Sequence, residues 1–145
     1  MRVARLVWGV KQSFRNYVEG SGGSIALEGG ATRADDGTFA FEATADSDLT
    51  LDGGALSGTG RFAGTLKFEA HGGLLRVTLI DPWIEATEGG LVLSIAETAT
   101  RRTAIAKLGP PEDGALAATT TLDGMMIIGD HYPPGTVLDP VRLIP

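Results

Sequence analysis

The chain has 145 residues, enough for one domain with its own hydrophobic core. Its formal net charge of −6 argues against a nucleic-acid backbone as partner, and the absence of cysteine excludes disulfides, thiolate metal sites and a cysteine nucleophile. Glycine supplies 21 residues, about twice its usual share, and without a collagen period that surplus predicts tight turns between short strands.

The N-terminal segment carries two arginines but no apolar run of signal-peptide length, and no segment is long enough to span a membrane. As it stands the sequence predicts a cytoplasmic chain; a signal upstream of it would make the location exported or cell-envelope. The first element is "WGVKQSFRNYV", residues 8–18, the one stretch that reads as a helix. Val7, Val10, Phe14 and Val18 follow three- and four-residue spacing and form a stripe able to seat the helix on a sheet. Ser13 and Tyr17 lie one above the other on a neighbouring face, at the rim of any groove beside it.

From there the chain reads as strands and turns. Residues 24–28 and 38–43 are strand candidates, with Phe39, Phe41 and Ala43 on one face of the second. Residues 61–70 alternate more strictly, with Phe62, Leu66, Phe68 and Ala70 on one side and Arg61, Thr65, Lys67 and Glu69 on the other. His71-Gly72-Gly73 is a turn, and residues 74–80 return to form a hairpin that Asp81-Pro82 ends. Residues 83–87, 91–97, 102–108, 115–122, 125–128 and 141–144 are weaker strand candidates. No second helix, repeat or domain boundary stands out. The pattern predicts a single domain, residues 1–145, of mainly antiparallel β structure. It is a two-sheet sandwich or barrel-like fold of about ten strands with a short N-terminal helix.

Few motifs carry chemistry. The two histidines, His71 and His131, show no zinc spacing. No nucleophile elbow, phosphate loop or dinucleotide fingerprint is present. Asp46, Asp48 and Asp52 fail the calcium-loop pattern and read as a solvated acidic turn. Tyr17 has two readings. It is a helix tyrosine with its hydroxyl in water, or an anionic oxygen ligand to ferric haem iron. A free phenol ionises only at about pH 10, so a ligand of that kind needs the iron's charge and a nearby hydrogen-bond donor, a part His71 could play.

Three blocks, "WGVKQSFRNYV", "GTLKFEAHGGLLRVTLIDPWIE" and "YPPGTVLDPVRL", resemble in that order the HtaA domain, a family of haem-binding domains of bacterial haem-uptake systems. The resemblance runs from about residue 6 to residue 143. It implies antiparallel sheets with a short helix or two and haem, ferric protoporphyrin IX, held at the helix. By motif position it implies that Tyr17 is the axial iron ligand, that His71 hydrogen-bonds it, and that Ser13 lies near a propionate. It assigns no role to His131, which reads as an exposed turn residue. Family members usually carry export signals, and many have repeated domains or an anchor; none is seen in this sequence.

The expected function is that of a haem carrier or transfer domain, not an enzyme, with haem and other haem carriers as partners. An open second haem face would let two copies stack as a homodimer. Phe14, Val10, Leu74, Leu75 and the loop around Trp83 are candidate porphyrin walls, and Arg15 or Arg76 a candidate propionate partner. The competing readings are a β-sandwich module that binds a protein or lipid in an apolar groove without haem, and a haem enzyme of peroxide chemistry.

Overall fold

A computed structural model describes residues 1–145. In chain order the elements are β1 (Arg5–Trp8), α1 (Gln12–Gly20), β2 (Ser24–Glu28), β3 (Thr32–Arg33), β4 (Phe39–Ala43), β5 (Thr50–Asp52) and β6 (Ala55–Ser57). They continue with β7 (Gly60–Ala63), β8 (Thr65–Ala70), β9 (Leu75–Ile80), β10 (Trp83–Thr87), β11 (Gly90–Ala96), β12 (Arg102–Leu108) and β13 (Ala115–Thr120). The helix α2 (Leu122–Ile128) and β14 (Val137–Ile144) complete the chain.

Eight strands run β1-β14-β13-β12-β11-β10-β7-β4, and β4 pairs back onto β1, so the sheet closes into a ring. Closure removes the unpaired edges that an open sheet of this length would expose. Every pairing is antiparallel. Leu6, Trp8, Phe39, Phe41, Phe62, Ile84, Leu93 and Ile105 are among its buried side chains. A separate three-stranded sheet, β2-β8-β9, carries α1, and β5–β6 is a small hairpin. The fold class is the one read from the sequence. The strands number fourteen rather than ten because four short ones, β1, β3, β5 and β6, carry too few residues to display a period.

Three elements differ from the sequence reading, each for a local reason. The helix begins at Gln12, not at residue 8. Residues 5–8 are instead the strand that closes the ring, with Leu6 opposite both Phe41 and Leu143. The Trp8 indole N–H donates to the Asp139 carbonyl at 2.7 Å. Val10, at φ 65°, then turns the chain into the helix. Only Phe14 and Val18 of the expected stripe lie on the helix itself, and both are buried.

Residues 61–70 keep their alternation, and Phe62, Leu66, Phe68 and Ala70 are all buried. The run is nevertheless split at Gly64 between the ring and the three-stranded sheet. Gly64 has φ 146°, and a Cβ there would press on Ala31 and Phe41 at 2.8 and 2.9 Å. Its N–H donates to the Asp81 carboxylate at 2.9 Å. The split matters, because it lifts β8 off the barrel and toward α1.

Residues 125–128, read as a strand, belong to α2. A short apolar run such as Met-Met-Ile-Ile does not by its period distinguish helix from strand. Here Thr121 decides: its hydroxyl accepts from the Gly124 N–H at 2.9 Å as an N-cap, with Asp123 in the first turn.

Candidate functional site

Both ends of the chain build the platform for α1. Asp139, on β14, accepts the Gln12 N–H at 3.1 Å with one carboxylate oxygen and the Arg15 guanidinium at 2.6 Å with the other. Lys11, the residue before the helix, offers no side-chain cap of its own. Asp139 therefore serves as an N-terminal acceptor from a distant strand. Arg15 is 6% exposed and also donates to the Gly9 carbonyl at 2.8 Å. At the other end of α1, Glu19 takes two bonds from Arg33, at 2.8 and 3.0 Å. That hydrogen bonding holds the Glu19 carboxyl below the usual carboxylate range. Beneath the helix, the Phe14 ring lies 5.0 Å from Phe68, which meets Phe39 edge-on at 5.9 Å. This aromatic series joins helix, small sheet and barrel.

The β8–β9 hairpin pairs in the register the sequence implied, up to Ala70 opposite Leu75. Its tip is tight. His71, Gly72 and Gly73 have φ of 56°, 64° and 94°, a left-handed run that glycine adopts freely and histidine tolerates better than most residues. The tip carries the His71 ring to α1. Its Nε2 lies 2.6 Å from the Tyr17 hydroxyl, with ring centroids 5.6 Å apart. Residues 54 apart in sequence thus share one hydrogen bond at the surface. Tyr17 remains 47% exposed, so its hydroxyl is tethered yet approachable.

Next to this pair opens a cleft of about 360 Å³, lined by Ser13, Phe14, Tyr17, Leu75, Ile128, Gly129, His131 and Tyr132. One wall is α1 and the hairpin; the other is the end of α2 and the turn after it. Tyr132 closes the floor by meeting Phe14 edge-on at 5.7 Å. The lining is mostly apolar; Ser13, Tyr17 and His131 are its exposed polar residues, and His71 reaches the site through its bond to Tyr17. The structure therefore brings Ser13, Tyr17 and His71 to one place. No cluster of three or more histidine and carboxylate side chains suited to a bare metal ion exists, and no helix is long and apolar enough to cross a membrane. The chemistry on offer is a phenol oxygen paired with an imidazole beside an apolar slot.

Several sequence candidates lie elsewhere. Phe14 and Leu75 line the cleft, but Val10 is fully buried in the core, and Leu74 projects from the hairpin tip at 92% exposure. Trp83 lines a different cavity and is stacked by Arg61 and Arg102, whose guanidinium carbons lie 4.9 and 3.9 Å from its ring centre. Arg15 is not available to a ligand, because it is buried against Asp139. Arg76 faces a shallow hollow with Lys67, Glu69 and Thr78 on the outer side of the hairpin. The sequence reading had no role for Asp139. The only available signal was an arginine placed next to the buried Phe14 of an amphipathic helix, which requires an acid somewhere.

The fold has counterparts among solved structures. The fold matches the N-terminal domain of HtaA from Corynebacterium glutamicum with a TM-score of 0.79 at 23% identity, covering 99% of this chain and 98% of that one. It matches the C-terminal domain of the same protein at 0.71 and 24%, covering 98% and 96%. It matches the heme binding protein HtaB of that organism at 0.69 and 17%, covering 97% and 91%. A comparison with curated proteins gives no match. The sequence matches the HtaA family, described as Htaa, over residues 3–144, so the chain belongs to the HtaA family.

Proposed function

We propose that the chain binds ferric haem as its cargo, with the iron on the Tyr17 phenolate oxygen, and that it carries haem in uptake or trafficking. The observation behind this is the 2.6 Å contact between Tyr17 and His71 at the mouth of an apolar cleft, in a chain of the HtaA family. HtaB, which shares the fold, is itself described as a heme binding protein.

The residues present suit that cargo. Phe14, Leu75, Ile128 and Tyr132 offer carbon surface to a flat macrocycle. With no cysteine in the sequence, the haem is held without thioether links. A phenolate is a hard anionic donor that favours Fe(III) over Fe(II), which suits carriage more than electron transfer.

Each side chain then has a task. To bind iron, Tyr17 must lose its hydroxyl proton. His71 Nε2 is close enough to accept it. One O–H bond breaks, one N–H bond forms, and the new N–H donates back to the phenolate. The left-handed tip at residues 71–73 aims the ring that does this. Ser13, one helical turn before Tyr17 on the same face, hydrogen-bonds a propionate. Release follows from weakening a single axial bond at Tyr17, since affinity changes tenfold per about 1.4 kcal/mol.

Titration of the purified chain with hemin tests this. The expected product has a tyrosinate-to-iron charge-transfer band that Tyr17→Phe abolishes. An unchanged spectrum in Tyr17→Phe would refute the ligand assignment, and no hemin binding at all would refute the function.

A further inference from the structure

Tyr17 and His71 are both exposed, yet their polar atoms meet at 2.6 Å. Side-chain packing does not fix that distance, so the backbones that carry the two rings must. What holds those backbones close matters through the haem reading above, and the inference rests on that reading. A short route from one ring to the other runs through Gly23. The Gly23 N–H donates at 2.9 Å to the carbonyl of Val18, the residue after Tyr17. Gly23 also precedes Ser24, which pairs with Glu69 on β8, and it lies against Ala70, the residue before His71. A Cβ on Gly23 would press on the Glu69 carbonyl oxygen, and would stand 2.7 Å from the Val18 carbonyl oxygen and 2.9 Å from the Ala70 Cβ. Two of these are backbone atoms and the third is a buried methyl, so none can swing aside. Gly23 is not left-handed, unlike Gly22 at φ 77°, so space and not backbone conformation reserves its position for glycine. Gly20, three residues earlier at the end of α1, would have nothing within 4 Å of a Cβ.

We propose that Gly23 is a positioning residue for the iron ligand: having no side chain, it lets α1 and the base of the hairpin approach closely enough for His71 to bond Tyr17. The helix side of this contact is fixed. Asp139 holds the Gln12 N–H and Arg15, and Arg33 holds Glu19 with two bonds. Arg15 and Glu19 lie about 200° round the helix from Ser13 and Tyr17, so α1 is gripped from behind its cleft face. The hairpin side yields instead. His71 and Gly72 at its tip are exposed, and the tip is built on left-handed residues. A methyl added at residue 23 therefore carries His71 away from Tyr17. A shift of a few tenths of an ångström takes a 2.6 Å bond toward the end of the hydrogen-bonding range, about 3.2 Å. The phenolate then loses its donor, and its hold on iron weakens. One methyl group on the far side of α1's exit thus acts on the iron as loss of the imidazole would.

The test compares Gly23→Ala with Gly20→Ala, the same change at two nearby positions. In the hemin-free protein, nuclear magnetic resonance of the His71 ring nitrogens reports the bond to Tyr17. Gly23→Ala is expected to shift those resonances as Tyr17→Phe does, and Gly20→Ala to leave them in place. In the hemin complexes, Gly23→Ala should move the tyrosinate band as His71→Ala does and lose hemin to a scavenger globin about tenfold faster. Gly20→Ala should stay within about twofold of wild type. Adding Gly23→Ala to His71→Ala should raise the loss rate no further, because both remove the same bond. Wild-type His71 resonances in Gly23→Ala overturn the proposal, and so does an effect on hemin loss that adds in full to that of His71→Ala. Ala70→Val crowds the same contact from the hairpin side and decides the matter if Gly23→Ala loses its cooperative urea transition. Loss of that transition in both variants overturns the proposal, since the contact would then be a condition of folding. These results leave the Tyr17 reading standing. A wild type that binds no hemin overturns that reading and with it the link from Gly23 to iron, while the resonances still report what Gly23 does to the bond.

Discussion

Two cavities of similar size lie on this molecule, and their polar groups behave in opposite ways. The one around Trp83, about 460 Å³, has its charges fully engaged. Arg61 and Arg102 stack on the Trp83 ring, and Arg102 also donates to Ser94 at 3.0 Å and to the Asp81 carbonyl. Burial pulls the Arg102 guanidinium below its usual range, against the pull of Glu85 and Asp81. That site welds β7, β10, β11 and β12 together. The cleft beside α1, about 360 Å³, is apolar inside and keeps Tyr17, Ser13 and His131 exposed at its edge. Its own bracing, the Arg15–Asp139 pair, is kept to the side of the helix N-terminus. A cavity's volume therefore says little about its use. What matters is whether its donors and acceptors still have bonds to make.

That contrast can be broken experimentally, most forcefully at the brace. Asp139→Ala leaves Arg15 buried without its partner and α1 without its acceptor. Its unfolding midpoint in urea should report a loss of about 3–5 kcal/mol, and hemin binding should fall with it. Tyr17→Phe should do the reverse. Stability should change by less than about 0.5 kcal/mol, while hemin affinity falls on the order of a hundredfold, about 2.7 kcal/mol. His71→Ala should cost about 10- to 100-fold in hemin affinity, read from the rate of loss to a scavenger.

On the other side, Arg102→Met should lower stability by about 1 kcal/mol with no effect on hemin. An effect on hemin there would mean the two cavities communicate. The smallest effect concerns Asp36, whose carboxylate accepts from Thr38 at 2.6 and 3.0 Å and from Arg142 at 3.2 Å. Led by the Thr38 hydroxyl, these bonds lower its pKa from 3.8 to about 2. Because the folded value is the lower, the stabilisation is complete above about pH 4 and fades as pH falls through about 2. Asp36→Asn should remove that component from the acid-unfolding profile while leaving the cleft untouched.

The parts of this molecule that the sequence disclosed were those with a period. The burial of Phe62, Leu66, Phe68 and Ala70 followed from alternation, and so did the hairpin with its turn at residues 71–73. Alternation said nothing of the break at Gly64, where only the angle φ changes and the parity survives. The helix was visible, but its start was misplaced because Val7 and Trp8 suit a strand as well as a helical stripe, and a ring needing its last strand decided between them. The pairing of Tyr17 with His71 was expected from the family resemblance and not from any spacing. Arg15 and Asp139, 124 residues apart, had no local signature at all. Long-range polar pairs are set by how the ring closes, and closure is a property of the whole chain.

That closure also governs when the cleft can exist. Helix α1 leaves a ribosome well ahead of its cap, Asp139, and of the facing wall at residues 128–132. A nascent chain that has made Tyr17 and His71 but not β14 has no partner for β1 and no slot beside the phenol. Pairings over such separations form late, after the loop between them has been closed. The domain cannot capture anything in its cleft until β14 has been made, so a half-made copy stays inert.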